Sequence, residues 1–319
     1  MKIVFDGKLD PRAFKDVLGE TITALLDQDP NVIYLDADLM SCIGTAKYAE
    51  KHPDRAIQCG IAEANMMGIA SGLASAGFKP IAHTFGTFAS RRCYDQVFLS
   101  AGYAKNDITV IGSDPGVCAS FNGGTHMPFE DMALYRAIPG STVIDIADTA
   151  MLASVLRQLP DRAGVKYLRV GRKQAYKMYE NGHFEIGKAI ELRRGDDVTI
   201  TASGIMVGEA MLAAEALSQE GIQATVLDLF TVKPLDVEAL IEAAARTGAI
   251  VTCENHSRVG GLYAAVSEAL SLNRPTPVEY VAVEDEFGEV GPQDYLQKRF
   301  GLTAEHIAEK VKKAISRKD

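Results

Sequence analysis

The sequence predicts an α/β fold of two domains, each a mainly parallel sheet flanked by helices. Short apolar runs of strand length alternate with helix-length segments from residue 31 to the end of the chain. The length of 319 residues is also enough for two domains that each bury a core. A polar, weakly periodic stretch at residues 171–194 interrupts the alternation, and we interpret it as the linker. We therefore predict domains at residues 1–180 and 190–319.

The first domain begins with a helix and then alternates strands with helices. Asp10 and Pro11 supply an N-cap residue and a proline at the first helical position. Strands are predicted at residues 31–35, 80–84, 108–112, 142–146 and 166–170, with helices at 62–76 and 149–158. Open parallel sheets bind ligands beyond the carboxyl ends of their strands, so the residues just after each strand are the functional candidates.

The second domain repeats the alternation. Strands are predicted at residues 198–202, 224–229, 249–253 and 278–283, and helices at 206–219, 236–246, 261–270 and from 304 onward. This alternation again favours a largely parallel sheet.

Composition excludes several functional classes. The chain has 33 Lys and Arg against 42 Asp and Glu, which argues against a general nucleic-acid partner, since such a partner requires a basic face. The longest uncharged apolar stretch, residues 64–78, is shorter than the ~20 residues that span a bilayer. The five cysteines are scattered without a CxxC pair. We therefore expect a cytoplasmic protein with reduced thiols, no membrane segment and no structural zinc.

Polar groups follow the first two strands. Asp36 and Asp38 come after the first strand, where capping of the next turn is the simpler interpretation. Glu63 begins a helix of otherwise small or apolar residues, and two interpretations stay open: a carboxylate that stabilises the helix N-terminus, or a buried carboxyl group that serves in proton exchange. Phe85 and Phe88 follow the second strand, where Gly86 favours a turn that lets a ring face a ligand, although core packing is the commoner role.

A long Gly-rich loop at residues 113–131 carries His126. Long loops in compact domains are often functional, and a histidine there suits proton transfer near neutral pH. His83 is expected to be packed in its strand, and Arg91 to be solvated or ion-paired. The chain has no dinucleotide fingerprint, no P-loop and no nucleophile elbow.

Together these segments resemble the C-terminal half of a transketolase, of the kind that is split over two polypeptides. The resemblance covers almost the whole chain. It is carried by DADL at 36–39, GIAEANMMGIASGLA at 60–74, TFGTFASRRCYDQ at 84–96, NGGTHMP at 122–128, YLRVGR at 167–172 and ENHSRVGGL at 254–262. No chemical role is assigned to the last segment, which is expected to form a strand-to-helix turn.

The resemblance implies thiamine diphosphate as cofactor, bound by a pyrimidine-binding domain that precedes a transketolase C-terminal domain. Glu63 matches the glutamate that hydrogen-bonds N1′ of the aminopyrimidine. Phe85 and Phe88 match the aromatic residues that hold the ring, and Asp38 matches the aspartate at the cofactor's edge.

The resemblance also implies substrate-binding residues. His126 matches the histidine that contacts the ketose hydroxyls, and Arg169 matches an arginine that binds a sugar phosphate. Arg91 is a further substrate-binding candidate. Asn122 stands where sugar-phosphate enzymes carry an aspartate, and Asp114 stands where they carry a histidine. An anionic Asp114 repels phosphate, so a modified, branched or sulfonated sugar becomes an alternative to the usual pentose phosphate.

The GDG motif that holds the diphosphate in this family is absent. The resemblance therefore implies an N-terminal transketolase subunit as partner, in an α2β2 assembly, with Mg²⁺ or Ca²⁺ held mainly by that partner. The expected activity is transfer of a two-carbon ketol unit from a ketose to an aldose through a thiamine diphosphate adduct. Two alternatives stay open: the β subunit of a 2-oxoacid dehydrogenase, and a non-catalytic α/β partner subunit. NGGTHMP and TFGTFASRR favour the transketolase.

Overall fold

A computed structural model describes residues 1–318 and confirms the α/β fold. Within those residues one sheet has seven strands and the other has five. None of the helices there is long and apolar enough to cross a membrane.

Six strands of the first sheet come from the N-terminal half of the chain. They are β1 (Val32–Asp36), β2 (Ala56–Gln58), β3 (Lys79–Phe85), β4 (Ile108–Ser113), β5 (Thr142–Asp145) and β6 (Val165–Val170). They pair in parallel, and β1, β4, β5 and β6 are buried along their whole length, as expected for strands covered on both faces. The sequence pattern does not predict β2, because three residues are too few to show a period.

Helices connect these strands. They are α1 (Phe14–Gln28), α2 (Ala46–Lys51), α3 (Glu63–Ser75), α4 (Gly86–Ser90), α5 (Tyr94–Gln96), α6 (Asp131–Arg136) and α7 (Thr149–Gln158). The predicted N-cap at Asp10 is displaced, because α1 begins at Phe14 and Asp10 instead accepts hydrogen bonds from Arg12 N and Thr149 Oγ1. The loop after β4 contains two short 3₁₀ turns, Gly116–Asn122 and Gly124–His126.

The C-terminal half builds the second sheet and also completes the first. Its strands are β7 (Ile190–Arg193), β8 (Val198–Ala202), β9 (Ala224–Asp228), β10 (Thr231–Lys233), β11 (Ile250–Ser257) and β12 (Val278–Val283). Its helices are α8 (Met206–Gln219), α9 (Val237–Thr247), α10 (Leu262–Asn273), α11 (Gln293–Arg299) and α12 (Ala304–Ile315). The second sheet has the order β12-β11-β8-β9-β7, in which only β7 is antiparallel to its neighbour. β10 is not part of the second sheet. It pairs antiparallel with β5 of the first sheet, so the N-terminal and C-terminal halves of the chain share backbone hydrogen bonds.

The stretch interpreted as a linker is a packed strap. Met178, Tyr179 and Phe184 are buried, and the Tyr179 hydroxyl donates to Asp228 at 2.6 Å. The backbone N–H groups of Met178 and Tyr179 donate to the Asp148 carboxylate. The strap runs along the N-terminal segment, with bridges from Ile3 to Tyr179 and from Leu9 to Tyr176. Its few apolar anchors have no regular spacing, which is why the sequence pattern suggests a free linker.

Candidate active site

The carboxyl ends of neighbouring strands in the first sheet lie side by side, and most of the predicted site residues are found there. We call this end of the first sheet the open edge. The sheet order is β10-β5-β6-β4-β3-β1-β2, so β6, β4, β3 and β1 are adjacent. Phe85 ends β3, Asp114 follows β4 and Asp38 follows β1. Gln58 Oε1 accepts from Asp38 N and Gly60 N, and so ties the loop after β1 to the segment that leads into Glu63.

Three aromatic rings form a cluster at the carboxyl ends of these strands. The His126 ring centroid lies 6.0 Å from that of Phe85 and 5.1 Å from that of Phe88, both in edge-to-face orientation. The two phenylalanine centroids are 6.3 Å apart. Phe85, Phe88 and His126 therefore lie together, although they come from separate segments of the chain.

Glu63 lies beside this cluster as a buried carboxylate. Its side chain is 1% exposed. Thr84 Oγ1 donates to Oε1 at 3.4 Å, and Arg92 Nη1 lies 2.9 Å and 3.0 Å from the two carboxylate oxygens. A buried carboxyl group requires such a partner. The partner comes from the turn after α4 and not from the helix that carries Glu63.

The remaining cofactor and ketose candidates are accessible. His126 is half-buried, and its Nδ1 lies 2.9 Å from Thr125 Oγ1, which leaves Nε2 for a ligand. Asn122 and Asp38 are exposed, and Asp38 adopts a positive φ of 66°. The loop around His126 is held by the second half of the chain, because a Cβ on Gly124 would overlap the carbonyl oxygen of Gly288.

Asp114 forms an ion pair that the sequence pattern does not single out. It is 3% exposed, and Arg172 Nε and Nη2 lie 2.7 Å and 2.5 Å from its Oδ2. Burial raises the pKa of Asp114 above its ordinary value, and the Arg172 charge opposes that rise. The Arg172 guanidinium also lies 4.9 Å from the Phe85 centroid and keeps 27% of its side chain exposed.

Arg169 does not lie in the site, which corrects the expected sugar-phosphate contact. Its side chain is fully buried. Nε is 2.8 Å from Asp131 Oδ2, Nη1 is 3.1 Å from Asp145 Oδ2, and Nη2 donates to the Asn255 carbonyl at 2.9 Å. All of its guanidinium nitrogens are thus used inside the protein. Arg172, just beyond β6, is the arginine at the open edge; the rule that ligands lie past strand ends could have identified it.

His83 and Arg91 contact residues that surround the site. His83 is buried, with Nδ1 2.8 Å from Asp36 Oδ2 and Nε2 3.1 Å from Ser113 Oγ, so it joins β3 to β1 and β4. Arg91 Nε is 2.8 Å from Glu130 Oε1, and its Nη2 donates to the Thr125 carbonyl at 3.2 Å. Arg91 therefore braces the His126 loop, and its predicted contact with substrate remains a prediction.

The ENHSRVGGL segment forms the expected strand-to-helix turn. Glu254 accepts from the backbone N–H groups of Leu262 and Tyr263 at 2.6 Å and 2.9 Å, which caps the start of α10. Burial raises the pKa of Glu254 to about 7. Asn255 reaches the site loop, because its side chain accepts from Val117 N and donates to the Pro115 carbonyl.

The group formed by Glu63, Phe85, Phe88 and His126, here called the pyrimidine site, fits one half of the implied cofactor. A buried carboxylate next to two phenylalanines provides a hydrogen-bond acceptor and apolar faces, which is what an aminopyrimidine ring requires. Among residues 1–318, no three His, Cys, Asp or Glu side chains are grouped so that they could hold a metal ion.

Comparison with known proteins assigns both halves of the chain to family models. Residues 10–177 match the transketolase pyrimidine-binding domain, and residues 187–307 match the transketolase C-terminal domain. The chain is 46% identical over 316 residues to the 6-deoxy-6-sulfo-D-fructose transketolase subunit SqwH of Clostridium sp. (strain MSTE9), a match that covers 99% of this chain and 98% of that one.

Two further relatives are also described as transketolases. The chain is 36% identical over 290 residues to one subunit of the apulose-4-phosphate transketolase of Phocaeicola vulgatus, covering 90% of this chain and 93% of that one. A solved structure described as a split gene transketolase, inactive beta4 tetramer, is 37% identical with a TM-score of 0.88. That match covers 96% of this chain and 99% of the solved one.

Proposed function

The chain belongs to the transketolase family, and on that premise we propose that it forms the pyrimidine-binding half of a two-subunit transketolase whose preferred donor is a ketose with a singly charged anionic end. These relatives are split transketolase subunits, so neither the 2-oxoacid dehydrogenase β subunit nor a non-catalytic module is favoured. The observation that carries the proposal is the placement of buried Glu63 beside Phe85, Phe88 and His126 at one sheet edge.

Each residue of the pyrimidine site has a role in this proposal. Thiamine diphosphate, when bound, supplies a carbon nucleophile and an electron sink. The Glu63 carboxyl group would hydrogen-bond N1′ of the pyrimidine, and Phe85 and Phe88 would contact the ring with apolar faces. Asp38 would lie near the edge of the cofactor. His126, half-buried with Nδ1 held by Thr125, offers Nε2 to a ketose hydroxyl.

The proposal includes a second polypeptide for the other half of the cofactor. This partner brings the diphosphate-binding domain and most of the ligands for Mg²⁺ or Ca²⁺, in a cytoplasmic α2β2 assembly. The absence of a GDG motif from this sequence and the full-length match to split subunits support this arrangement. The domain limits 1–180 and 190–319 belong to the proposal as well, and the family models at 10–177 and 187–307 support them.

The charge balance near Arg172 supports the choice of donor. Arg172 and the exposed Lys173 supply two positive charges at this edge, and the Asp114 carboxylate neutralises one of them. A sulfonate carries one negative charge, whereas a phosphate monoester carries about 1.5 to 2 at pH 7. The Asp114 carboxylate repels the more highly charged group more strongly. The similarity to a 6-deoxy-6-sulfo-D-fructose transketolase subunit agrees with this preference.

The test is ketol transfer by the purified pair of subunits. The two chains are assayed separately and together with thiamine diphosphate and Mg²⁺, using hydroxypyruvate as a permissive donor. The donors 6-deoxy-6-sulfo-D-fructose and fructose 6-phosphate are then compared. We expect activity only in the pair and at least about a tenfold higher kcat/KM for the sulfonate, equivalent to one modest charge interaction.

Different outcomes contradict different parts of the proposal. A pair that assembles but transfers no ketol unit from any donor contradicts the transketolase activity. A pair that prefers fructose 6-phosphate, or xylulose 5-phosphate, contradicts only the choice of donor. Light scattering of the purified pair decides whether the assembly is α2β2.

A further inference from the structure

The predicted pyrimidine contacts are already taken by a side chain of this chain. Arg92 Nη1 lies 2.9 Å and 3.0 Å from the two oxygens of Glu63. The same guanidinium lies 3.8 Å above the centroid of Phe88. One planar group of N–H donors thus pairs with the carboxylate and covers the ring that an aminopyrimidine would use.

The two members of this ion pair differ in exposure. The Glu63 side chain is 1% exposed, whereas 43% of the Arg92 side chain is exposed. Arg92 therefore reaches the carboxylate from the solvent side. It can leave without unpacking the core, but Glu63 cannot move to meet another partner.

The backbone around Arg92 also permits such a movement. Residues 91–93 form a turn between α4 and α5, so Arg92 is not part of either helix. The neighbouring Cys93 is buried, with its thiol 3.1 Å from the Ala89 carbonyl, which anchors the turn. Among residues 1–318, the Arg92 side chain forms hydrogen bonds with Glu63 alone, and its guanidinium also stacks on Phe88.

We propose that Arg92 is a gate for the pyrimidine site, which occupies Glu63 and Phe88 in the isolated chain and swings away when the cofactor ring takes those contacts. This inference rests on the proposed function, because it concerns the same pyrimidine site. A buried carboxylate without a partner is unfavourable, so Arg92 keeps Glu63 paired and oriented until another donor replaces it. Cofactor binding must therefore compete with the ion pair.

The competition predicts that removing Arg92 strengthens cofactor binding. The subunit pair is prepared with wild-type chain and with Arg92→Gln, and binding of thiamine diphosphate with Mg²⁺ is measured by titration calorimetry. We expect the Kd to fall roughly tenfold, the magnitude of one partly buried ion pair together with a cation–π contact. Stopped-flow circular dichroism should also show faster cofactor association in the variant.

Two further variants make the result specific. Arg157→Gln removes an exposed arginine from α7 and should leave the Kd unchanged. In a Glu63→Gln background, Arg92→Gln should have a much smaller effect, because the ion pair is already lost. Arg92→Lys keeps the charge without the planar guanidinium and should give an intermediate Kd; it replaces Arg92→Gln if that variant fails to fold.

The outcomes separate this inference from the proposed function. Failure of the wild-type pair to bind thiamine diphosphate overturns the proposed function. Binding by the wild type together with an unchanged or higher Kd for Arg92→Gln overturns the gate and leaves the function intact. A higher Kd would make Arg92 a residue that assists Glu63 in holding the cofactor.

Discussion

The carboxyl edges of the two sheets carry similar residues in opposite environments. In the first sheet, Asp38 and Asn122 are exposed and His126 is half-buried. In the second sheet, Glu254 and His256 are fully buried at the end of β11. Glu254 caps α10, and His256 Nε2 lies 3.8 Å from Asp131 Oδ1 of the first domain.

The difference shows that position in an α/β sheet does not by itself make a site. At the second edge, the first domain covers the strand ends: Glu254 accepts from the backbone at the start of α10, and Arg169 donates to the Asn255 carbonyl. At the first edge, Asp38 and Asn122 are exposed and His126 is only half-buried. Variants at the open edge should therefore change activity, and variants at the closed edge should change stability.

Glu63→Gln should have the largest effect. The amide keeps the size of the side chain but loses the carboxylate, so we expect kcat of the subunit pair to fall about 10²–10⁴-fold, as when a group that moves protons is lost. Thermal unfolding should change little. The matched control is Glu50→Gln, an exposed position in α2, which should keep full activity. Retention of activity in Glu63→Gln would place the chemistry elsewhere.

Arg169→Met should have the largest effect on stability. It leaves the buried carboxylates of Asp131 and Asp145 without their counter-ion, so urea unfolding should show a loss of about 3–5 kcal/mol. Arg172→Met, at the open edge, is the comparison; it leaves one buried carboxylate, that of Asp114, without its counter-ion instead of two, so it should lose less. Equal losses for the two variants would remove the distinction between the edges.

Arg172→Ala tests the open edge through substrate binding. We expect KM for the anionic donor to rise about tenfold to a hundredfold, the value of a hydrogen bond to a charged group. The kcat with the neutral ketose erythrulose should stay the same, because that donor has no anionic end. Steady-state kinetics of the subunit pair measure both. A similar rise in KM for the neutral donor would mean that Arg172 maintains the shape of the donor site and does not bind the anionic end.

His256 should make the closed edge sensitive to acid. Burial lowers the pKa of His256 to about 4, whereas the unfolded chain takes up that proton near pH 6.5. Between those values the unfolded state binds more protons, so stability falls as the pH decreases through this window.

The difference between wild type and His256→Gln isolates this contribution. From about pH 7.5 to about pH 5, the wild type should lose about 2 kcal/mol relative to the variant in the free energy of unfolding. Glu254, whose pKa burial raises to about 7, has the opposite dependence but is present in both proteins. A pH-independent difference would show that His256 is not buried in its neutral form.

Sequence reasoning anticipated the residues of the open edge better than their partners. Glu63, Phe85, Phe88 and His126 follow predicted strands or begin a helix, and the three rings lie together in the structure, while their roles toward cofactor and substrate stay predictions. The partner of Glu63 could not be predicted, because Arg92 is 29 residues away and reaches it through the turn after α4. Arg169 and Arg172 have the same charge and are three residues apart, but Arg169 lies inside β6 and is buried, whereas Arg172 lies beyond the strand end and is partly exposed.

The sequence by itself determined the α/β class, the longer strands and helices in their order, and the set of side chains available at the strand ends. These depend on local periodicity and on residue chemistry, which can be read along the chain. Only the tertiary structure decided which strand-end residues remain accessible, how β10 joins the first sheet, and that the stretch at 171–188 packs as a strap. Those features arise from contacts between distant segments, for which the linear pattern contains no signal.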